Sequence, residues 1–63
     1  MSVKEAISIY QDLVDSIIIQ YDDGTEFETP SEDAEFLDED ILEIDVSVVT
    51  MYPSTNYCII YLD

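Results

Sequence analysis

Sixteen Asp and Glu side chains share this 63-residue chain with one Lys and no His, for a formal net charge of −15. That imbalance limits the fold before any pattern is read. Lys4 and the terminal amine are the only fixed cations, so ion pairs cannot hold the chain together. Self-repulsion among the carboxylates opposes compaction, and burial of apolar surface must overcome it. The means are present: 48% of the residues are apolar, a share that acidic disordered tails lack. The expectation is a single folded α+β domain over residues 1–63, or part of one, with a thin core, since domains this small bury only about 60% of their unfolded surface.

The sign of the charge also sorts partners. Nucleic acid and anionic membrane surfaces would repel the chain. No stretch approaches the roughly 20 apolar residues of a membrane span, and a basic region followed by an apolar one, as in a signal peptide, is missing from the start. Cys58 is the only cysteine, so no internal disulfide can form and a reducing, cytoplasmic setting is expected.

Ser2-Val3-Lys4-Glu5 has the S-x-x-E form of a capping box. Val3, Ala6, Ile7, Tyr10, Leu13 and Val14 follow at helical spacing, predicting a helix over about Val3 to Leu13. Ser16 to Tyr21 and Thr25 to Thr29 read as strands joined at Asp22-Asp23-Gly24. A two-residue loop would pair Ile19 with Glu28, whereas a three-residue loop with a left-handed Gly24 pairs Ile19 with Phe27 and sorts apolar from acidic faces. The second register is the expected one. Thr29-Pro30-Ser31-Glu32 repeats helix-start grammar, with Thr29 as N-cap and Pro30 at the first helical position. Ala34, Leu37 and Ile41 can hold a short, imperfect helical segment on the core through the acidic run. From Leu42 the period becomes two: Leu42, Ile44, Val46 and Val48 alternate with Glu43, Asp45 and Ser47. That strand continues to Tyr52, turns at Pro53-Ser54-Thr55-Asn56, and returns as Tyr57 to Leu62.

The expected architecture is therefore a four-stranded antiparallel sheet of two hairpins with one N-terminal helix and a short acidic helical segment. The last hairpin places Val49, Met51, Cys58, Ile60 and Leu62 on one side and Tyr52, Tyr57, Ile59 and Tyr61 on the other. One helix cannot cover both. Either the acidic segment folds over the second face, the slightly favoured reading, or the chain self-associates there.

The chemistry of catalysis is hard to assemble from these residues. Without His the commonest general base and metal ligand is lacking. Cys58 lies in a strand with no base to activate it and reads as core. Lys4, set among acids on a solvated helix turn, is a poor nucleophile. The carboxylates have neither the cleft nor the apolar wall that glycoside hydrolysis needs. Asp22-Asp23-Gly24-Thr25-Glu26 resembles part of a calcium loop, but with Gly24 sixth the first ligand position falls on Ile19 and the match fails. Asp38-Glu39-Asp40 would bind a hard cation only loosely. No enzyme activity, cofactor or metal site is expected.

What the acids offer is a field. Every charged residue from Asp22 to Asp45 is acidic: Asp22, Asp23, Glu26, Glu28, Glu32, Asp33, Glu35, Asp38, Glu39, Asp40, Glu43 and Asp45. Ordinary surfaces mix signs. On a strand, Glu26 and Glu28 project the same way about 6.6–6.8 Å apart, as would Glu43 and Asp45, close to the interval between phosphates along one nucleic-acid strand. The acids from Glu32 to Asp40 supply a second, denser row, and Phe36 within it is either an apolar anchor for a partner or part of the core. A scaffold of this kind matches the Lys and Arg of a DNA-binding cleft.

In size, charge and α/β make-up the chain resembles the small acidic DNA-mimic proteins of bacteriophages and mobile elements. These include anti-CRISPR inhibitors, inhibitors of uracil-DNA glycosylase and antirestriction proteins. The runs Asp22–Glu28 and Glu32–Asp40 carry the likeness, which is one of physical type. The resemblance implies a phage protein that acts as an anti-CRISPR inhibitor, occupying the DNA-binding groove of a CRISPR effector in the cytoplasm of an infected bacterial host. A glycosylase or restriction enzyme is the alternative target. A different reading is an antitoxin-like or homodimeric interaction module that binds through the apolar face of Val49, Met51, Cys58, Ile60 and Leu62.

Overall fold

The computed structural model describes residues 1–52 and 54–63; Pro53, which the sequence places in a turn, lies outside the described residues. A four-stranded sheet carries one layer of short helical elements. Helix α1 spans Val3–Tyr10, and the strands are β1 (Ser16–Gln20), β2 (Glu26–Pro30), β3 (Val46–Tyr52) and β4 (Tyr57–Leu62). Between β2 and β3 lie a 3₁₀ segment, Ser31–Phe36, and a one-turn helix α2, Glu39–Leu42.

The capping box forms as the sequence predicts: the Glu5 amide donates to Ser2 Oγ at 3.2 Å and the Ser2 amide to Glu5 Oε1 at 3.0 Å. These bonds hold the Glu5 carboxyl below its ordinary pKa, the Ser2 backbone contribution being the largest. The helix ends earlier than its apolar stripe suggested. After Tyr10 the chain turns, leaving Leu13 60% exposed while Val14 is buried.

The first hairpin adopts the three-residue loop. Ile19 pairs with Phe27 and Gln20 with Glu26. The Tyr21 amide donates to the Thr25 carbonyl at 2.8 Å, the Gly24 amide donates to the Tyr21 carbonyl at 3.0 Å, and Gly24 has φ of +92°. Asp23 accepts from the Thr25 hydroxyl at 2.7 Å and its amide at 2.9 Å, which lowers its pKa, the hydroxyl contributing more. Strand β2 runs one residue later than expected, through Pro30. Thr29 is thus a buried strand residue rather than an N-cap, and the extended Pro30 pairs with Ser16. The edge position of β2 tolerates the missing amide proton.

Two further expectations fail near the second hairpin. Leu42 does not begin a strand: its amide donates to the Asp38 carbonyl at 3.0 Å, inside α2. Leu42 and Ile44 fit alternation, but with Leu37 and Ile41 they also fit helical spacing, and the cover they give the core settles the choice. A bulge at Ser47 then interrupts the register, with Val46 opposite Leu62 but Val48 opposite Tyr61. Val46 packs against the core, whereas Val48 turns to the other face and is 52% exposed.

The largest correction is topological. The strand order is β2-β1-β4-β3, with β1 parallel to β4, so the sheet is mixed and not wholly antiparallel. Pro30 ends β2 beside Ser16, at the start of β1, while Val46 begins β3 opposite Leu62, at the end of β4. The acidic segment therefore travels the length of the sheet, and the second hairpin begins from the far end. That reversal makes β4 run with β1.

The same crossover decides which face is covered. Ala34 and Leu42 join Val3, Ala6, Ile7, Ile17, Ile19, Cys58, Ile60 and Leu62 in one core. The acidic segment thus lies beside α1 and does not fold over the second face. The face of Val49, Met51, Cys58, Ile60 and Leu62 is the core face and is not open to a partner. Among the described residues, no element packs on the tyrosine-bearing face.

Candidate functional surface

All of the acids from Asp22 to Asp45 are exposed. Asp22 and Asp23 sit at the hairpin tip, held there by the left-handed Gly24 and the Asp23–Thr25 bonds. Glu26 and Glu28 form a column on β2, facing away from the core because Phe27 and Thr29 face inward. Glu32, Asp33 and Glu35 line the 3₁₀ segment, whose buried Ser31 and Ala34 fix its inner side. The Ser31 hydroxyl donates to the Val14 carbonyl at 2.7 Å, and Gln11 Nε2 donates to the Ser31 carbonyl at 2.9 Å. Asp38 precedes α2, and Glu39 and Asp40 occupy its first turn, where the helix dipole favours negative charge. The row expected of Glu43 and Asp45 does not form on a strand. Glu43 caps the end of α2, and Asp45 lies in an isolated bridge opposite Ser2.

Packing of α1 on the 3₁₀ segment opens a cleft of about 600 Å³ that the sequence did not reveal. Its walls carry Asp12 and Asp15 from the loop between α1 and β1, and Glu32 and Glu35 from the crossover. Asn56 Nδ2 donates to Asp15 Oδ2 and ties that carboxylate in place. Asp12 and Asp15 look like isolated acids in the sequence, and only the docking of distant elements sets them beside Glu32 and Glu35. Phe36 is not core: it is 78% exposed, between Glu35 and the partly buried Leu37.

The surface is suited to accepting cations and poor in groups that transfer protons at neutral pH. Cys58 is fully buried, and burial pushes its thiol pKa up. Tyr52 is raised as well, by desolvation first and then by the neighbouring Tyr61 and Tyr57. Among the described residues, no three His, Cys, Asp or Glu side chains converge to hold a metal ion, and no helix is long and apolar enough to cross a membrane.

Comparison with known protein families, curated proteins and solved structures found no match for the chain. The fold itself is of the α+β class: a mixed four-stranded sheet under one layer of short helices, the crossover of which is almost wholly acidic on its outer side.

Proposed function

We propose that the protein is a non-enzymatic inhibitor that presents DNA-like charge and fills the DNA-binding cleft of a basic protein. The observation that carries this reading is the exposure, on a folded scaffold, of every acid from Asp22 to Asp45 with no cation among them. The fold gives these charges fixed origins. Glu26 and Glu28 stand on a strand at about 6.6–6.8 Å intervals, and the crossover holds the acids from Glu32 to Asp40 against the core through Ala34, Leu37 and Leu42. Preorganised carboxylates meet Lys and Arg without the ordering cost of a flexible tail. The cleft of Asp12, Asp15, Glu32 and Glu35 adds a place for a guanidinium or ammonium group. By its resemblance to anti-CRISPR inhibitors, the target is a CRISPR effector in a bacterial cytoplasm, and inhibition is exclusion of target DNA. A glycosylase or restriction enzyme would meet the same surface.

Reversal of Glu32, Asp33, Glu35, Asp38, Glu39 and Asp40 to Lys tests the assignment. Affinity for the target should fall by about a hundred-fold or more, roughly 2.8 kcal/mol. Circular dichroism should show an intact fold, because all six are exposed. Undiminished inhibition by the reversed variant would remove the crossover as the binding site.

A further inference from the structure

The sheet face left bare by the crossover has an ordered composition. Register across the strands gives three rows on that face: Pro30, Ser16, Tyr57 and Tyr52; then Glu28, Ile18, Ile59 and Thr50; then Glu26, Gln20, Tyr61 and Val48. Carboxylates stand only in the β2 column, while the β1, β4 and β3 columns hold apolar, aromatic and neutral side chains. The Tyr52 and Tyr57 rings stack with centroids 4.9 Å apart, so the aromatic end of the face is already ordered. Val48 and Tyr52 are exposed, at 52% and 37%, and Ile18, Ile59, Tyr57 and Tyr61 are half-buried by their strand neighbours alone.

We propose that this face docks a cationic amphipathic helix of a partner protein. The apolar stripe of that helix would lie on Ile18, Ile59, Val48 and Tyr61, and a row of Arg or Lys on one flank would lie over Glu26 and Glu28. Charge complementarity selects this occupant. A second copy would bring another −15, and its own copy of this face carries no Lys or Arg to meet the carboxylate column. Nucleic-acid bases stacking on the tyrosines would meet the same repulsion through their phosphates. The dimensions fit a helix: with strands about 4.8 Å apart the face is roughly 14 Å wide, and a helix with its side chains is about 10–12 Å across. The contact goes beyond charge mimicry, because duplex DNA presents no apolar stripe, and it does not require the crossover acids to fill a DNA cleft.

The probe is a synthetic helical peptide of about 18 residues, some 27 Å long, with Leu along one stripe and Arg along one flank. A second peptide has Ser for Leu, and a third has Gln for Arg. Amide resonances of ¹⁵N-labelled protein should move in β1, β4 and β2 with the first peptide only. Val48→Lys, at a position already half exposed, should weaken binding at least ten-fold with the melting temperature unchanged, and Ile59→Lys should do the same. Glu26→Gln with Glu28→Gln should weaken it several-fold and flatten its salt dependence. Equal binding of the Ser peptide, with shifts confined to the 3₁₀ segment and α2, would overturn the proposal. So would sedimentation of the free protein as a dimer that Val48→Lys dissociates, since a second copy would then be the occupant.

Discussion

Phe36 and Cys58 show how much a single position owes to its local geometry. Both are apolar side chains, Phe36 within the acidic run and Cys58 among the apolar residues of β4, yet the first is 78% exposed and the second fully buried. In a 3₁₀ segment, with about three residues per turn, Ala34 and Leu37 share a side and Phe36 is turned about a third of a turn away. The sequence left Phe36 open between anchor and core because helix type, and hence rotation, is not written in the spacing. Cys58 was read as core from its place in an apolar strand with no activating base, and the burial that alternates along β4 agrees. An exposed aromatic ringed by acids contributes little to folding and is suited to an interface. Phe36→Ala should therefore change stability by no more than about 0.5 kcal/mol in thermal melts. It should weaken target binding at least ten-fold by calorimetry, about 1.4 kcal/mol. A large loss of stability with unchanged affinity would place Phe36 in the fold's service instead.

Among the elements, the first hairpin and the capping box could be read in advance, and the second half of the chain only partly. The hairpin was legible because one wrong residue in the loop would have set Ile19 against Glu28, so face matching alone fixed the register. Gly24 carries that loop at φ of +92°, with no atom within 4 Å of where a Cβ would stand. Gly24→Ala should then cost roughly 1 kcal/mol from backbone conformation and not from a clash, measurable as a lower urea midpoint with an unchanged slope. A neutral result would mean that the loop relaxes into another turn. The end of α1 was misread because Leu13 continues the apolar stripe past the point where the chain must turn toward β1. The start of β3 was misread because Leu42 and Ile44 fit both periods, and the Ser47 bulge left no mark on the alternation that precedes it.

At the scale of the whole molecule, the acidic surface was legible from composition, and the arrangement beneath it was not. Pairing of β1 with β4 joins opposite ends of the chain, and its direction depends on where the crossover finishes, which no local signal records. The same holds for the cleft, where Asp12 and Asp15 meet Glu32 and Glu35 only once α1 and the crossover share a layer. The first hairpin and the crossover present acids outward, the second hairpin carries none between Val46 and Leu62, and the single lysine lies on α1. The most direct test is displacement. A fluorescent target duplex, bound to a purified CRISPR effector with its guide, is titrated with the protein at several salt concentrations, and anisotropy reports the bound DNA. Competition predicts full displacement, an apparent inhibition constant that rises in proportion to the duplex concentration, and weakening as salt rises. Anisotropy that stays high at saturating protein, with the duplex and the protein bound to the effector together, would contradict the mimicry.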